Sequence, residues 1–285
     1  MPPRPPRRVV LVPRSLVPTS PVALPAAALA ALAVAVLSGP AGASGPPPTG
    51  PDVSSHQHPG GHAIDWKRVH TSGGASFAFV KATEGHTYSN PYFRQDYDAT
   101  HAQGLVRSAY HYARPALPLT TATQQANDFL SAVGSTSAEG DLPTTLDLEE
   151  SGGLSSANLV AWAKTFLERV TSVTGRAPLI YTYPYFWRHA MGDSRDFTAY
   201  PLWIAHYSSG SSPGPLPGGW QTWTFWQTTS SARVAGIETQ VDLSRFNGDA
   251  AALQRLASPP SPAAPPPPTL LPLPLPTGLP TPPPA

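Results

Sequence analysis

"TTLDLEESGG", residues 144–153, alternates apolar with acidic side chains and then stops on two glycines. In an extended backbone, successive side chains point to opposite faces. Leu146 and Leu148 therefore take one side, and Asp147 and Glu149 the other. Glu150, by the same alternation, points away from the pair. The two carboxylates lie about 6.6 Å apart along the strand. Such a pair is either a wet surface or a reaction site, and its surroundings decide which.

Outward from this stretch, short strand-like segments recur at 50–54, 77–82, 106–113, 145–149, 178–183, 202–207, 224–228 and 241–246. Helical patterns separate several of them. Residues 157–174 are the clearest, with Leu159, Trp162, Ala163, Phe166, Leu167 and Val170 recurring at three and four. Ser155 or Ser156 can cap its start and Gly175 ends it. Residues 121–134 put Ala126, Phe129, Leu130 and Val133 on one side, and 90–103 carry Tyr92, Phe93 and Tyr97 at helical spacing. Strand and helix in alternation predict an α/β fold with a parallel sheet. Eight strands predict a TIM-like (β/α) barrel with active groups at the C-terminal strand ends. "PGPLPGG" (213–219) leaves no room for a helix, so the barrel is expected to be irregular, with a reduced set of helices.

Composition sets the boundaries of this domain. The chain has 285 residues and 38 prolines, and the prolines cluster at its two ends. Arg4, Arg7, Arg8 and Arg14 precede the apolar run "AAALAALAVAVL" (26–37) and the small residues "AGA" (41–43). That order reads as an export leader over 1–43, and the run is short for a membrane span of about 20 residues. An uncleaved anchor is the competing reading. Without the leader, 14 Lys and Arg stand against 17 Asp and Glu, a net charge near −3, which gives no argument for nucleic-acid binding. Residues 258–285 favour extended polyproline conformation and read as a disordered tail. The foldable domain is thus expected over 44–257. It contains no cysteine, so packing alone must stabilise it, and thiolate chemistry is excluded.

Almost every predicted strand contributes a polar or aromatic group near its end. A parallel sheet is covered on both faces, so acids there need a reason. Two nearby carboxylates repel, and burial raises the pKa of at least one. One can then hold a proton while the other stays charged. That is the division of labour that cleaves glycosidic bonds: one group protonates the leaving oxygen, and one steadies the cationic sugar. Seven tryptophans and ten tyrosines suit sugar faces, although Trp162 and Phe166 belong to a helix core face. Trp203 and Trp226 are open between core and groove. His56, His58 and His62 match no standard metal spacing and read as structural or surface residues. His111 reads as a hydrogen-bonded core histidine. No metal and no cofactor is expected.

"DVSSHQ" (52–57) with "IDW" (64–66), "FAFVKATEG" (77–85), "SAYHYARP" (108–115), "TLDLEE" (145–150), "LIYTYPYFW" (179–187), "PLWIAHY" (201–207), "TFWQTT" (224–229) and "VDLSRFNG" (241–248) follow one another in order. Together, over about residues 50–250, they resemble glycoside hydrolase family 25, the Ch-type lysozymes. The leader predicts a secreted, wall-associated protein, and nothing in the sequence suggests more than a monomer. The resemblance implies an irregular (β/α) barrel enzyme. It would cleave the β-1,4 bond between N-acetylmuramic acid and N-acetylglucosamine in peptidoglycan glycan strands. By motif, Glu149 corresponds to the general acid, and Asp147 to the nucleophile or stabiliser of a substrate-assisted intermediate. Asp52 and Asp242 correspond to acids lining the same groove, and Lys81, Glu84, Tyr110, Tyr181, Trp203 and Gln227 to substrate-binding positions. Pro51 and the long connection "SSHQHPGGHA" depart from the family pattern. A wall-binding protein without catalysis on the same scaffold is the alternative.

Overall fold

A computed structural model describes residues 45–134 and 138–259. The leader expected over 1–43 and nearly all of the tail expected over 258–285 lie outside the described residues. The strands are β1 (Thr49–Val53), β2 (Phe77–Glu84), β3 (Tyr88–Ser89), β4 (Val106–Tyr112), β5 (Thr145–Asp147), β6 (Leu179–Thr182), β7 (Leu202–Ala205), β8 (Phe225–Ala232) and β9 (Val241–Phe246). The helices are α1 (Trp66–Thr71), α2 (Phe93–Ala102), α3 (Thr120–Val133), α4 (Ser156–Thr174), α5 (Pro184–His189) and α6 (Ala250–Leu256).

The sheet runs β1-β9-β8-β7-β6-β5-β4-β2-β3, and β1 also pairs with β2, which closes the irregular TIM-like barrel. Three details differ from the sequence reading. The short β3 folds back on β2 outside the closed ring, through the pairs Thr83–Ser89 and Glu84–Tyr88. β9 runs antiparallel to both of its neighbours, so the sheet is not wholly parallel. β5 stops at Asp147, so Glu149 sits just beyond the strand rather than within it.

Period-two alternation divides the apolar residues into two cores. Phe77, Phe79, Leu179, Tyr181, Trp203, Phe225 and Phe246 fill the barrel, with Leu253 of α6 among them. Ala78, Val80, Leu146, Ile180, Leu202 and Ile204 face outward against the helices. α4 forms as its spacing requires. The Ser155 side chain accepts from the Asn158 N–H, and Gly175 closes the helix in the left-handed region at φ 68°. Leu159, Trp162, Ala163, Phe166, Leu167 and Val170 are buried. No helix lies between β7 and β8, where the proline–glycine stretch falls. Among the described residues, no helix is long and apolar enough to cross a membrane.

Candidate active site

Strand register assembles the site. Tyr112 of β4 lies beside Asp147 of β5, Asp147 beside Tyr181 of β6, and Tyr181 beside Trp203 of β7. Across the barrel seam, Asp52 of β1 is the direct partner of Asp242 of β9. A groove of about 250 Å³ opens over this ring, lined by Asp52, Lys81, Tyr110, Asp147, Glu149, Tyr181, Trp203, Gln227 and Asp242, together with Tyr112, Ser54, His56 and Gln57. Every nominated residue except Glu84 therefore meets in one place. Glu84 stands behind, ion-paired to Lys81 and Arg114.

Hydrogen bonds fix the wall opposite Asp147. Gln227 Nε2 donates to Asp52 Oδ2 at 3.0 Å, while Gln227 Oε1 accepts from the Tyr181 and Tyr207 hydroxyls, both at 2.9 Å. Burial, then the Asp242 charge, pushes Asp52 well above the usual carboxylate range. Asp242, the register partner of Asp52, is also raised above the ordinary carboxylate value by burial. Trp203 is the floor. It stacks on Phe79 with centroids 3.8 Å apart and donates its indole N–H to Ser244 Oγ. Trp226 faces the outer core and donates to the His206 carbonyl, which resolves it as a packing residue.

Asp147 is 7 % exposed, and its Oδ1 has no hydrogen-bond partner. Burial, then the neighbouring Glu149 charge, lifts its pKa well above the ordinary value, against the pull of Lys81. Glu149 is half-buried, and desolvation raises it too. The Tyr112 hydroxyl counters that rise, and the charge of Glu150 adds to it. Two adjacent carboxyls, both raised by lost water, hold protons where free carboxyls do not.

Tyr112 is the residue that sequence reasoning passed over. The Lys81 ammonium and the Arg114 guanidinium each sit 4.7 Å from its ring centroid. Its hydroxyl donates to Glu150 Oε1 at 2.9 Å, and Tyr112 lines the groove with Glu149. Glu150 turns away from the pair, as alternation predicts, onto Arg114. Tyr112 follows the nominated Tyr110 by two residues, so strand period alone places it on the same face.

The histidines separate. His56 borders the groove, and His62 is exposed beside Glu238 at 3.2 Å. His58 is buried, with Nε2 2.8 Å from Asp96 Oδ2, Nδ1 2.9 Å from the His62 carbonyl, and its ring stacked on Tyr92. His111 is a core residue, as expected. Gln125 Oε1 only accepts, so His111 Nε2 carries the hydrogen, and Thr83 Oγ1 lies 2.8 Å from Nδ1. Burial pushes its pKa down to about 4. Among the described residues, no group of three or more His, Asp or Glu is placed to hold a metal ion.

Comparison with known proteins agrees with this geometry. The family model "Glycosyl hydrolases family 25" matches residues 51–237. Lysozyme M1 of Streptomyces globisporus is 39% identical over 228 residues, covering 77% of this chain and 74% of that protein. The N,O-diacetylmuramidase of Chalaropsis sp is 39% identical over 218 residues, covering 73% of this chain and 97% of that enzyme. The crystal structure of a bacterial lysozyme from Streptomyces coelicolor superposes with a TM-score of 0.68 at 37% identity, covering 74% of this chain and 97% of the other. A barrel closed over paired carboxyls, together with a family match across most of the folded region, leads to one conclusion: the chain belongs to glycoside hydrolase family 25 and is a glycoside hydrolase.

Proposed function

We propose that this enzyme is a secreted lysozyme that cleaves the β-1,4 bond between N-acetylmuramic acid and N-acetylglucosamine in peptidoglycan, with Glu149 as general acid. The observation that carries the reading is the orphaned Asp147 Oδ1 beside Glu149. A buried oxygen without a partner is costly. The 2-acetamido N–H of a bound sugar supplies the missing donor. That hydrogen bond stabilises the charged form of Asp147 and lowers its pKa, which leaves the proton of the pair on Glu149.

The acetamido carbonyl oxygen, steadied through its N–H by Asp147, then attacks the anomeric carbon. The bond to the leaving oxygen breaks, and Glu149 transfers its proton there. In the second half, Glu149 takes a proton from water as that water attacks the anomeric carbon. The acetamido group is released and configuration is retained. Direct attack by Asp147 is the other retaining route. The Asp52–Asp242 pair and Gln227 line the far wall and hold negative charge near the cationic centre.

In the same reading, residues 1–43 are a leader removed on export, 44–257 are the catalytic domain, 258–285 are a spacer, and the enzyme acts as a monomer. Purified protein incubated with peptidoglycan, followed by borohydride reduction, is expected to give reduced muramic acid ends. If no such ends form, the assignment fails. Glu149→Gln is expected to lower kcat by about 10²–10⁴-fold while melting no lower than the parent enzyme, since the charge it removes is itself desolvated. Activity near that of the parent enzyme would remove Glu149 as the acid.

A further inference from the structure

Beside the catalytic groove lies a second cavity, about 490 Å³ in volume, between α5 and the end of β7. The two share Glu149 and Tyr181, so one chain of sugars can pass from one into the other. Their chemistry is opposite. The groove holds Asp52, Asp147, Glu149 and Asp242. Apart from Glu149, the cavity carries no acid; it is lined by Arg188, His189 and His206 among tyrosines.

The cations in this region are not equally available. Lys81 is occupied by Glu84, and Arg114 by Glu84 and Glu150. None of the ion pairs among the described residues involves Arg188, His189 or His206. Arg188 is nonetheless oriented, because Nη2 donates to the Pro215 carbonyl at 2.7 Å. Its other N–H groups remain to receive a planar anion in bidentate fashion. His189 is also held, with Nδ1 on the Tyr185 carbonyl at 2.8 Å and its ring stacked on Tyr185, which is 68 % exposed.

An oriented, unneutralised guanidinium next to exposed aromatic rings does not match a neutral sugar alone. Peptidoglycan carries anionic peptides on its muramoyl units. We infer that the α5 cavity is a subsite for the stem peptide of a muramoyl unit next to the scissile bond, with Arg188 pairing to a peptide carboxylate. Arg188 is thus a specificity residue, and the inference rests on the lysozyme reading above.

The test uses the full enzyme on two substrates: glycan strands bearing stem peptides, and the same strands stripped by an amidase. The readout is the ratio of kcat/KM on peptide-bearing over stripped strands. Arg188→Gln is expected to lower this ratio about tenfold, the scale of one charge-assisted hydrogen bond after discounting for exposure. The change is expected mainly in KM, and to fade at high salt. Arg188→Lys, which keeps the charge, is expected to recover part of the ratio. A ratio in Arg188→Gln within twofold of the parent enzyme overturns the inference while leaving the lysozyme reading intact. If the parent enzyme forms no muramic acid ends on either substrate, both fall together.

Discussion

Tyr112 sits beside the carboxyl pair proposed to carry out catalysis. Its hydroxyl lowers the pKa of Glu149, while the charge of Glu150 raises it. A general acid works only while protonated, so the alkaline limb of the rate profile follows its pKa. Tyr112→Phe is therefore expected to move that limb to higher pH, and Glu150→Gln to lower pH. Profiles of kcat against pH for the three proteins check both signs, and shifts in the same direction would refute this account. The sequence made Asp147 and Glu149 legible because alternation and burial act within a few residues. The Lys81–Tyr112–Arg114 stack was not legible in advance. It needs the relative heights of β2 and β4, which a register shift between Lys81 and Thr83 alters. Glu84 was nominated on its motif and lands one layer back, for the same reason.

At the scale of elements, strand positions were readable, and strand direction was only partly so. β9 was expected to be parallel, yet eight residues separate Ala232 from Val241. A parallel crossover needs a dozen or more, so the connection length already favours the antiparallel pairing observed. The long connection after β1 shows a different limit. Its histidines looked like one loose group, but only His58 turns inward. The His58–Asp96–Trp66 cluster, with Trp66 Nε1 donating to Asp96 Oδ1 at 3.0 Å, ties the connection to α1 and α2. Nδ1 faces a carbonyl and must donate, so a proton also lies between Nε2 and Asp96. His58→Ala leaves the buried Asp96 with Trp66 alone. That change is expected to cost about 3–5 kcal/mol and to lower Tm by about 2–4 °C per kcal/mol. Hydrogen exchange is expected to quicken first in residues 54–65, the segment bordering the groove. Unchanged exchange there, or uniform loosening of the barrel, would show that the cluster does not anchor this connection.

For the whole molecule, the groove and the core respond to pH with opposite signs. His111 has its folded pKa pushed down to about 4, below the ordinary 6.5, so the unfolded chain binds its proton first. Stability from this residue is present above about pH 6.5 and is lost as pH falls towards 4, on the order of 3 kcal/mol in all. Asp147 behaves in reverse. Its folded pKa is raised well above the ordinary carboxylate value, so the folded state binds protons more tightly than the unfolded chain. Stability therefore falls as pH rises from about 4 through the folded pKa, by about 1.4 kcal/mol for each unit of the shift. Asp147→Asn keeps the shape and removes the charge. At pH 8 it is expected to melt above the parent protein, by about 2–4 °C per kcal/mol recovered, while losing activity. Near pH 3, where Asp147 is neutral in both states, the two melting temperatures are expected to converge, because His111 contributes equally to each protein. Melting curves from pH 3 to 8 measure the gap directly. If it stays constant across that range, burial of Asp147 imposes no charge penalty, and the groove gains nothing by offering its orphaned oxygen to a substrate N–H.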